Sequence, residues 1–251
     1  MSWSASQHAQ ALRPPLVSTS ARRLRRLFSQ SATARPGESS NAEMLKCLNV
    51  AIVDYDAGNT LSVMRALEKV GAGVELTQDP ERIAFADAVV LPGVGAFGDC
   101  MRKLRERGMD EACGEAFRSG KPFLGVCVAL QVIFEGSEES PGVEGLGILE
   151  GEVVRFGWDG LKVPHIGWNE ISLVRDHPVL DGLDGEAFYF VHSYYPMPED
   201  TDDLIGETDY GMRFCSAAGR ENLVAVQFHP EKSSRAGLKL YENFLTWAGS
   251  V

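Results

Sequence analysis

The chain has no apolar run long enough to span a bilayer, which argues against a helical membrane anchor. It has no Cys-x-x-Cys pair, and its five cysteines (Cys47, Cys100, Cys113, Cys127, Cys215) are odd in number. A disulfide framework or thiolate zinc site is therefore not expected, and the thiols read as reduced, in an intracellular protein. His165 and His192 lack metal-ligand spacing with other His or Cys residues, so no metal and no cofactor is expected. There are no internal repeats, and no low-complexity segment follows residue 43. Positive charge is scarce: 24 Lys and Arg stand against 35 Asp and Glu. Six of those basic residues, all Arg, and only two of the acids fall in residues 1–43, which leaves 18 basic against 33 acidic residues from Met44 onward. So acidic a body argues against nucleic acid and an anionic membrane as partners.

What is present divides into a short extension and a body. Residues 1–43 carry Arg22-Arg23-Leu24-Arg25-Arg26-Leu27-Phe28-Ser29 in a Ser- and Arg-rich context. Two readings stand: an organelle transit peptide, or sequence ahead of a true start at Met44. Residues 46–251 are expected to form one domain, and 44% hydrophobic residues suffice for a proper core.

From Leu48 the body alternates strand and helix. Asn49–Val53 is a continuous apolar strand of the kind buried on both faces of a parallel sheet. A loop at 54–59 follows, and Thr60 is placed to cap a helix over Leu61–Val70. Gly73–Thr77 and Asp87–Leu91 read as strands, the second ending at Pro92-Gly93-Val94-Gly95. Residues 97–118 read as helix broken at Gly108. This rhythm predicts an α/β fold: a doubly wound, mostly parallel sheet with flanking helices. Such sheets bind ligands at the carboxyl ends of their strands. The second half is strand-rich, with strands expected near Gly147–Val154, Phe188–His192, Leu204–Thr208, Met212–Ala217 and Leu223–Gln227. A last helix is expected from about Ser234 to Trp247.

One stretch stands out within this pattern. Pro122 can only open a strand, Phe123–Val126 is short and apolar, Cys127 follows, and Val128–Phe134 begins like a helix. A cysteine on a tight strand-to-helix turn is held out of the sheet above a helix N-terminus, which favours a thiolate and a nearby oxyanion. Gln131 lies one turn along on the same helix face. A small buried cysteine is the other reading. Acyl chemistry needs a base and an oxyanion hole as well. His229-Pro230-Glu231 follows the strand Val224–Phe228. If that segment is extended, His229 and Glu231 project together, the carboxylate orienting the imidazole. Oxyanion donors would be the N–H of Val128 and one from Gly93-Val94-Gly95, Val94 being the candidate.

Five segments occur in order: Asp54-Tyr55-Asp56-Ala57-Gly58-Asn59, Pro92-Gly93-Val94-Gly95-Ala96-Phe97, Lys162-Val163-Pro164-His165-Ile166-Gly167-Trp168-Asn169, Tyr189-Phe190-Val191-His192-Ser193-Tyr194 and Gln227-Phe228-His229-Pro230-Glu231-Lys232-Ser233. With Cys127 they resemble the class I glutamine amidotransferases, which have a flavodoxin-like fold. Over about residues 48–248 they are most similar to the branch that forms the glutaminase subunits of imidazole glycerol phosphate synthase. The resemblance implies hydrolysis of the glutamine side-chain amide through a thioester on Cys127, with His229 moving the proton and Glu231 holding His229. Gly93, Gly95, Gln131, Ser193 and Tyr194 would line the glutamine pocket. Ammonia would pass to a cyclase subunit, a separate (β/α)8 barrel, as a heterodimer that makes imidazole glycerol phosphate and an aminoimidazole carboxamide nucleotide in histidine biosynthesis. Asp56, Asn59, Trp168, Asn169 and Lys232 would meet that partner. His165 and His192 are expected in packing and hydrogen bonding. The resemblance also implies an oxyanion hole completed only in the complex. A cytoplasmic location is expected, or a plastid or mitochondrion if residues 1–43 are a transit peptide.

Two positions depart from the pattern. Ala129 stands where the elbow usually has glycine, and Asp56 where a glycine is common. Two other readings remain: an amidotransferase serving pyridoxal phosphate or purine synthesis, and an inactive binding subunit that keeps the fold.

Overall fold

The computed structural model describes residues 48–157, 160 and 162–251, and the expectations for residues 1–43 lie outside them. The first half builds a parallel sheet. β1 (Asn49–Val53), β2 (Gly73–Thr77), β3 (Ala88–Gly93) and β4 (Phe123–Cys127) alternate with helices α1 (Thr60–Lys69), α2 (Pro80–Phe85), α3 (Phe97–Glu106) and α4 (Met109–Arg118). β3 and β4 are buried throughout, as strands covered on both faces must be. α3 breaks from α4 at Gly108, whose φ of 65° lets the chain turn. α2 had no counterpart in the sequence reading. It is short, opens on Pro80, and is capped by the Asp79 side chain on the Glu81 amide at 2.9 Å.

The second half follows α5 (Val128–Val132). It supplies β5 (Gly136–Ser137), β6 (Gly151–Arg155), β7 (His165–Glu170), β8 (Ser172–Leu173), β9 (Ala187–His192), β10 (Tyr194–Pro198), β11 (Leu204–Asp209), β12 (Arg213–Ala218) and β13 (Leu223–Val226). α6 (Ser234–Ala248) closes the fold. The main sheet runs β2-β1-β3-β4-β13-β12-β11-β8. β13 enters parallel to β4, whereas β11 and β12 are antiparallel additions. β10, β6 and β5 form a second sheet, and β7 pairs with β9 in a third.

Several local expectations need correction. Thr60 is the first helical residue of α1, and Asn59 holds the cap position without a side-chain cap bond. The helix after Cys127 has only five residues, because the chain turns to reach β5. Residues 147–150 precede β6 and are not strand, Gly147 and Gly151 both having positive φ. β7 and β10 were not anticipated.

Packing shows how Ala129 is accommodated. Ala129 is fully buried, and its Cβ lies 3.4 Å from where a Cβ on Gly125 would stand. The methyl fits because Gly125 has none. Gly125 itself has no spare room, since a Cβ there would sit 2.8 Å from the Ala225 Cβ on β13. Gly125→Ala is expected to lower stability by about 1–3 kcal/mol through overpacking between β4 and β13, read from urea denaturation. Ala129→Gly should cost about 1 kcal/mol of helix propensity and leave the elbow in place.

Candidate active site

Cys127 ends β4 with φ 59° and ψ −112°, a region that side-chain-bearing residues avoid. Its strain, on the order of 1–3 kcal/mol, is tolerated only where the surroundings fix the turn. They do so here from three sides. β4 is buried along its length. Cys127 lies opposite Gly93 in the β3–β4 register. Gly93 in turn lies so close to the elbow that a Cβ on it would meet the Ala129 nitrogen at 2.9 Å and the Tyr55 hydroxyl at 3.0 Å.

β13 delivers His229 to the same sheet edge. Its parallel register with β4 pairs Val226 with Val126, so both strands end side by side. The His229 amide donates to the Tyr189 carbonyl of β9 at 2.9 Å, and Ser233 Oγ donates to the His229 carbonyl at 2.6 Å. Residues Pro230–Lys232 form a 3-10 turn, not the extended segment expected. Proline fixes the start of that turn, which curls Glu231 back beneath the imidazole. His229 Nδ1 donates to Glu231 Oε1 at 2.9 Å, with both side chains 1% exposed.

Asn59 does not stand apart as an outward contact: its Nδ2 donates to the same Oε1 of Glu231 at 3.2 Å. That bond explains why it leaves its helix uncapped. Among the described residues, Nε2 of His229 has no hydrogen-bond partner. Burial pushes the His229 pKa down, but Cys127 and Glu231 together outweigh it and raise it from 6.5 to about 9. Cys127 and His229 line the same cleft.

The elbow opens onto a cleft of about 650 Å³, a size that suits a small molecule. Val94, Gly95, Val128, Gln131, Ser193 and Tyr194 line it, together with Cys127 and His229. Gly93 does not; it lies beneath the elbow. The Val94 carbonyl accepts from the Cys100 thiol at 3.5 Å. Gln131 Nε2 donates to the Tyr194 carbonyl and to Gln227 Oε1, both at 3.1 Å. Both amide protons are then engaged, so Oε1 is the atom left to accept from a guest. The sequence reading missed Gln227 and Ser233 as supports; both sit inside the quoted Gln227–Ser233 segment, which was the available signal.

Of the expected partner contacts, Asn59 and Lys232 line the cleft. Trp168 is 55% exposed, and Lys232 is exposed with Nζ 5.7 Å from the centroid of the Tyr189 ring. Asp56, at φ 59°, pairs with Arg107 and accepts from Gln78 at 3.2 Å. Asn169 donates to the Asp209 carbonyl at 2.8 Å. Among the described residues no helix is long and apolar enough to cross a membrane, and no cluster of three or more metal-ligating side chains occurs.

Comparison with known proteins agrees with this geometry. The model of the class-I glutamine amidotransferases matches residues 51–247, and the chain belongs to that family. A crystal structure of a glutamine amidotransferase superposes with a TM-score of 0.64 at 18% identity, covering 80% of this chain and 99% of that one, which shows a shared fold. Among curated proteins, the imidazole glycerol phosphate synthase subunit HisH of Aromatoleum aromaticum is 52% identical over 211 residues, covering 80% of this chain and 99% of that one. The HisH subunit of Chromobacterium violaceum is 49% identical over 214 residues, covering 81% and 100%. Within the amidotransferases, this chain is therefore a member of the HisH subunit family.

The balance of forces on His229 can be measured. In Cys127→Ala, the His229 titration midpoint should fall from about 9, followed by NMR of the imidazole ring protons. An unchanged midpoint would assign the elevation to Glu231 alone.

Proposed function

We propose that this chain is the glutaminase subunit of an imidazole glycerol phosphate synthase. It hydrolyses the side-chain amide of glutamine to glutamate and ammonia. The observation that carries this reading is the Cys127 elbow facing the His229–Glu231 pair, whose Nδ1–Oε1 distance is 2.9 Å.

The Cys127 sulfur, as thiolate, attacks the amide carbon. The carbonyl oxygen becomes an oxyanion, met by the N–H of Val128, which as the first helical residue has no intrahelical acceptor. Val94 supplies the second donor. His229 carries a proton on Nε2 and gives it to the departing nitrogen, so ammonia leaves and a γ-glutamyl thioester remains. Neutral His229 then takes a proton from water. Hydroxide adds to the thioester carbon, the carbon–sulfur bond breaks, and glutamate departs with the thiolate and imidazolium restored. Glu231 keeps Nδ1 protonated and the ring oriented throughout. Gln131 Oε1 accepts from the substrate ammonium group, and the Ser193-Tyr194 backbone lines the amino-acid end.

Ammonia passes to a separate cyclase subunit, a (β/α)8 barrel, forming a heterodimer whose products are imidazole glycerol phosphate and an aminoimidazole carboxamide nucleotide. The HisH relatives are named as synthase subunits, which supports a partner chain. Asp56, Trp168, Asn169 and Lys232 face it, and the partner completes the oxyanion hole. The domain responsible is residues 46–251, working in the cytoplasm.

The test is glutamate release from glutamine, measured with and without a cognate cyclase and its nucleotide substrate. Turnover should rise on adding both. Cys127→Ala should lower it by at least about a thousandfold, the scale for losing a nucleophile. Unchanged turnover in that variant would sink the mechanism, and no response to any cyclase would sink the assignment to this synthase.

A further inference from the structure

His165 and His192 lie outside the Cys127–His229–Glu231 set. Both are buried, and they are register partners across β7 and β9. His192 Nδ1 is 2.8 Å from the Tyr194 carbonyl. A carbonyl only accepts, so this Nδ1 carries the proton and Nε2 of the same ring carries a lone pair. His165 Nδ1 lies 3.0 Å from that Nε2 and must therefore donate to it. Its own Nε2 is then an acceptor, and the Asn169 amide nitrogen stands 3.4 Å away. The Asn169 amide cannot be reversed, because Oδ1 accepts from the Glu170 amide at 2.9 Å and Nδ2 donates to the Asp209 carbonyl at 2.8 Å. Every proton in the row is thereby assigned, and all donate in one direction, from Asn169 to the Tyr194 carbonyl. Both rings hold the Nδ1–H tautomer, the less favoured one in free histidine. Burial lowers the His165 pKa to about 4 and that of His192 to about 3, so the row stays neutral and intact near pH 7.

Packing alone does not call for this arrangement. His165 stacks on Tyr210 and Phe190 with ring centroids 4.0 and 4.9 Å apart. A phenylalanine would stack as well without the cost of burying polar nitrogens. The row ends instead at a functional atom: the Tyr194 carbonyl that receives His192 also receives Gln131 Nε2 at 3.1 Å. Both His192 and Gln131 line the cleft.

We infer that His165 and His192 are positioning residues for the glutamine pocket, their one-way row of hydrogen bonds fixing the Tyr194 carbonyl and, through it, the Gln131 amide. This rests on the cleft being the glutamine site. It connects β7 to substrate affinity through four named side chains.

The experiment has two arms on the full chain. In the first, ¹⁵N NMR of histidine-labelled protein reads the tautomers directly. Both rings should show a protonated Nδ1 and a bare Nε2, and an Nε2–H form at either ring overturns the row. In the second, glutamate release is followed in the complex with cyclase. His165→Phe keeps the stacking and cuts the row, and KM for glutamine should rise about tenfold with kcat within about twofold, the scale of one lost hydrogen bond. His165→Asn loses the stacking but keeps a donor near the Nδ1 position, and KM should return to within about threefold of the original. Wild-type turnover with an unchanged KM in His165→Phe overturns the positioning role. So does a His165→Asn variant impaired as much as His165→Phe. A wild-type complex that releases no glutamate overturns the functional reading and this inference with it.

Discussion

The structure depends on one strained residue. Cys127 is held at positive φ between a strand and a helix. Left to itself, a cysteine there would relax by about 1–3 kcal/mol. It cannot, because relaxation would drag β4 out of register with β3 and β13. Phe123, Leu124 and Val126 on β4 are all buried, and each contributes about 1.5–3 kcal/mol by that burial. The sheet therefore outweighs the elbow several times over. Gly125 and Gly93 matter for the same reason, since a side chain on either would force apart the layers that pin the turn.

The second consequence of the sheet is convergence. β13 is far from β4 in sequence but lies beside it in parallel. Parallel neighbours end at the same edge, so the residues following them meet there without a long connecting loop. Cys127 and His229 need nothing more to face one another. The loop after β1 reaches the same edge and brings Asn59 onto Glu231. β9 anchors His229 from below and carries His192 toward the pocket. The antiparallel strands that follow extend the sheet away from the chemistry.

How much of this the residues disclose depends on how local the cause is. β1, β3, β4 and β13 are legible because strands buried on both faces must be apolar throughout. The α3–α4 break is legible because Gly108 has little use inside a helix. β7 is harder to see: its Ile166 and Trp168 side chains point outward, and Gly167 and the preceding Pro164 read as turn signals. The cap on α1 is misread because Asn59 and Thr60 are both good capping residues, and only the distant Glu231 decides between them. Likewise, spacing alone brings Glu231 near His229 by the wrong route, through an extended segment in place of a 3-10 turn. The nucleophile, base and carboxylate are visible in sequence order. The supports from Gln227, Ser233 and the His165–His192 row depend on pairings between strands.

Departures from local preference gather around the cleft. Of the non-glycine residues with positive φ, Cys127 is the elbow, Asp56 lies on the loop leading to Asn59, and Ser234 follows the turn that carries Glu231. Among the described residues, only Glu221 sits elsewhere, in the turn before β13. Asn59 relinquishes a helix cap, a loss of about 1 kcal/mol, to bond a carboxylate whose other oxygen has no partner among the described residues. His165 and His192 bury polar rings in their less favoured tautomer. A fold optimised only for stability would relax each of these. Cys127, Asn59 and the two histidines instead orient one atom each: the Cys127 sulfur, the Glu231 carboxylate or the Tyr194 carbonyl. Local rules fail where a group must be aimed, and a stable sheet is what allows them to fail there.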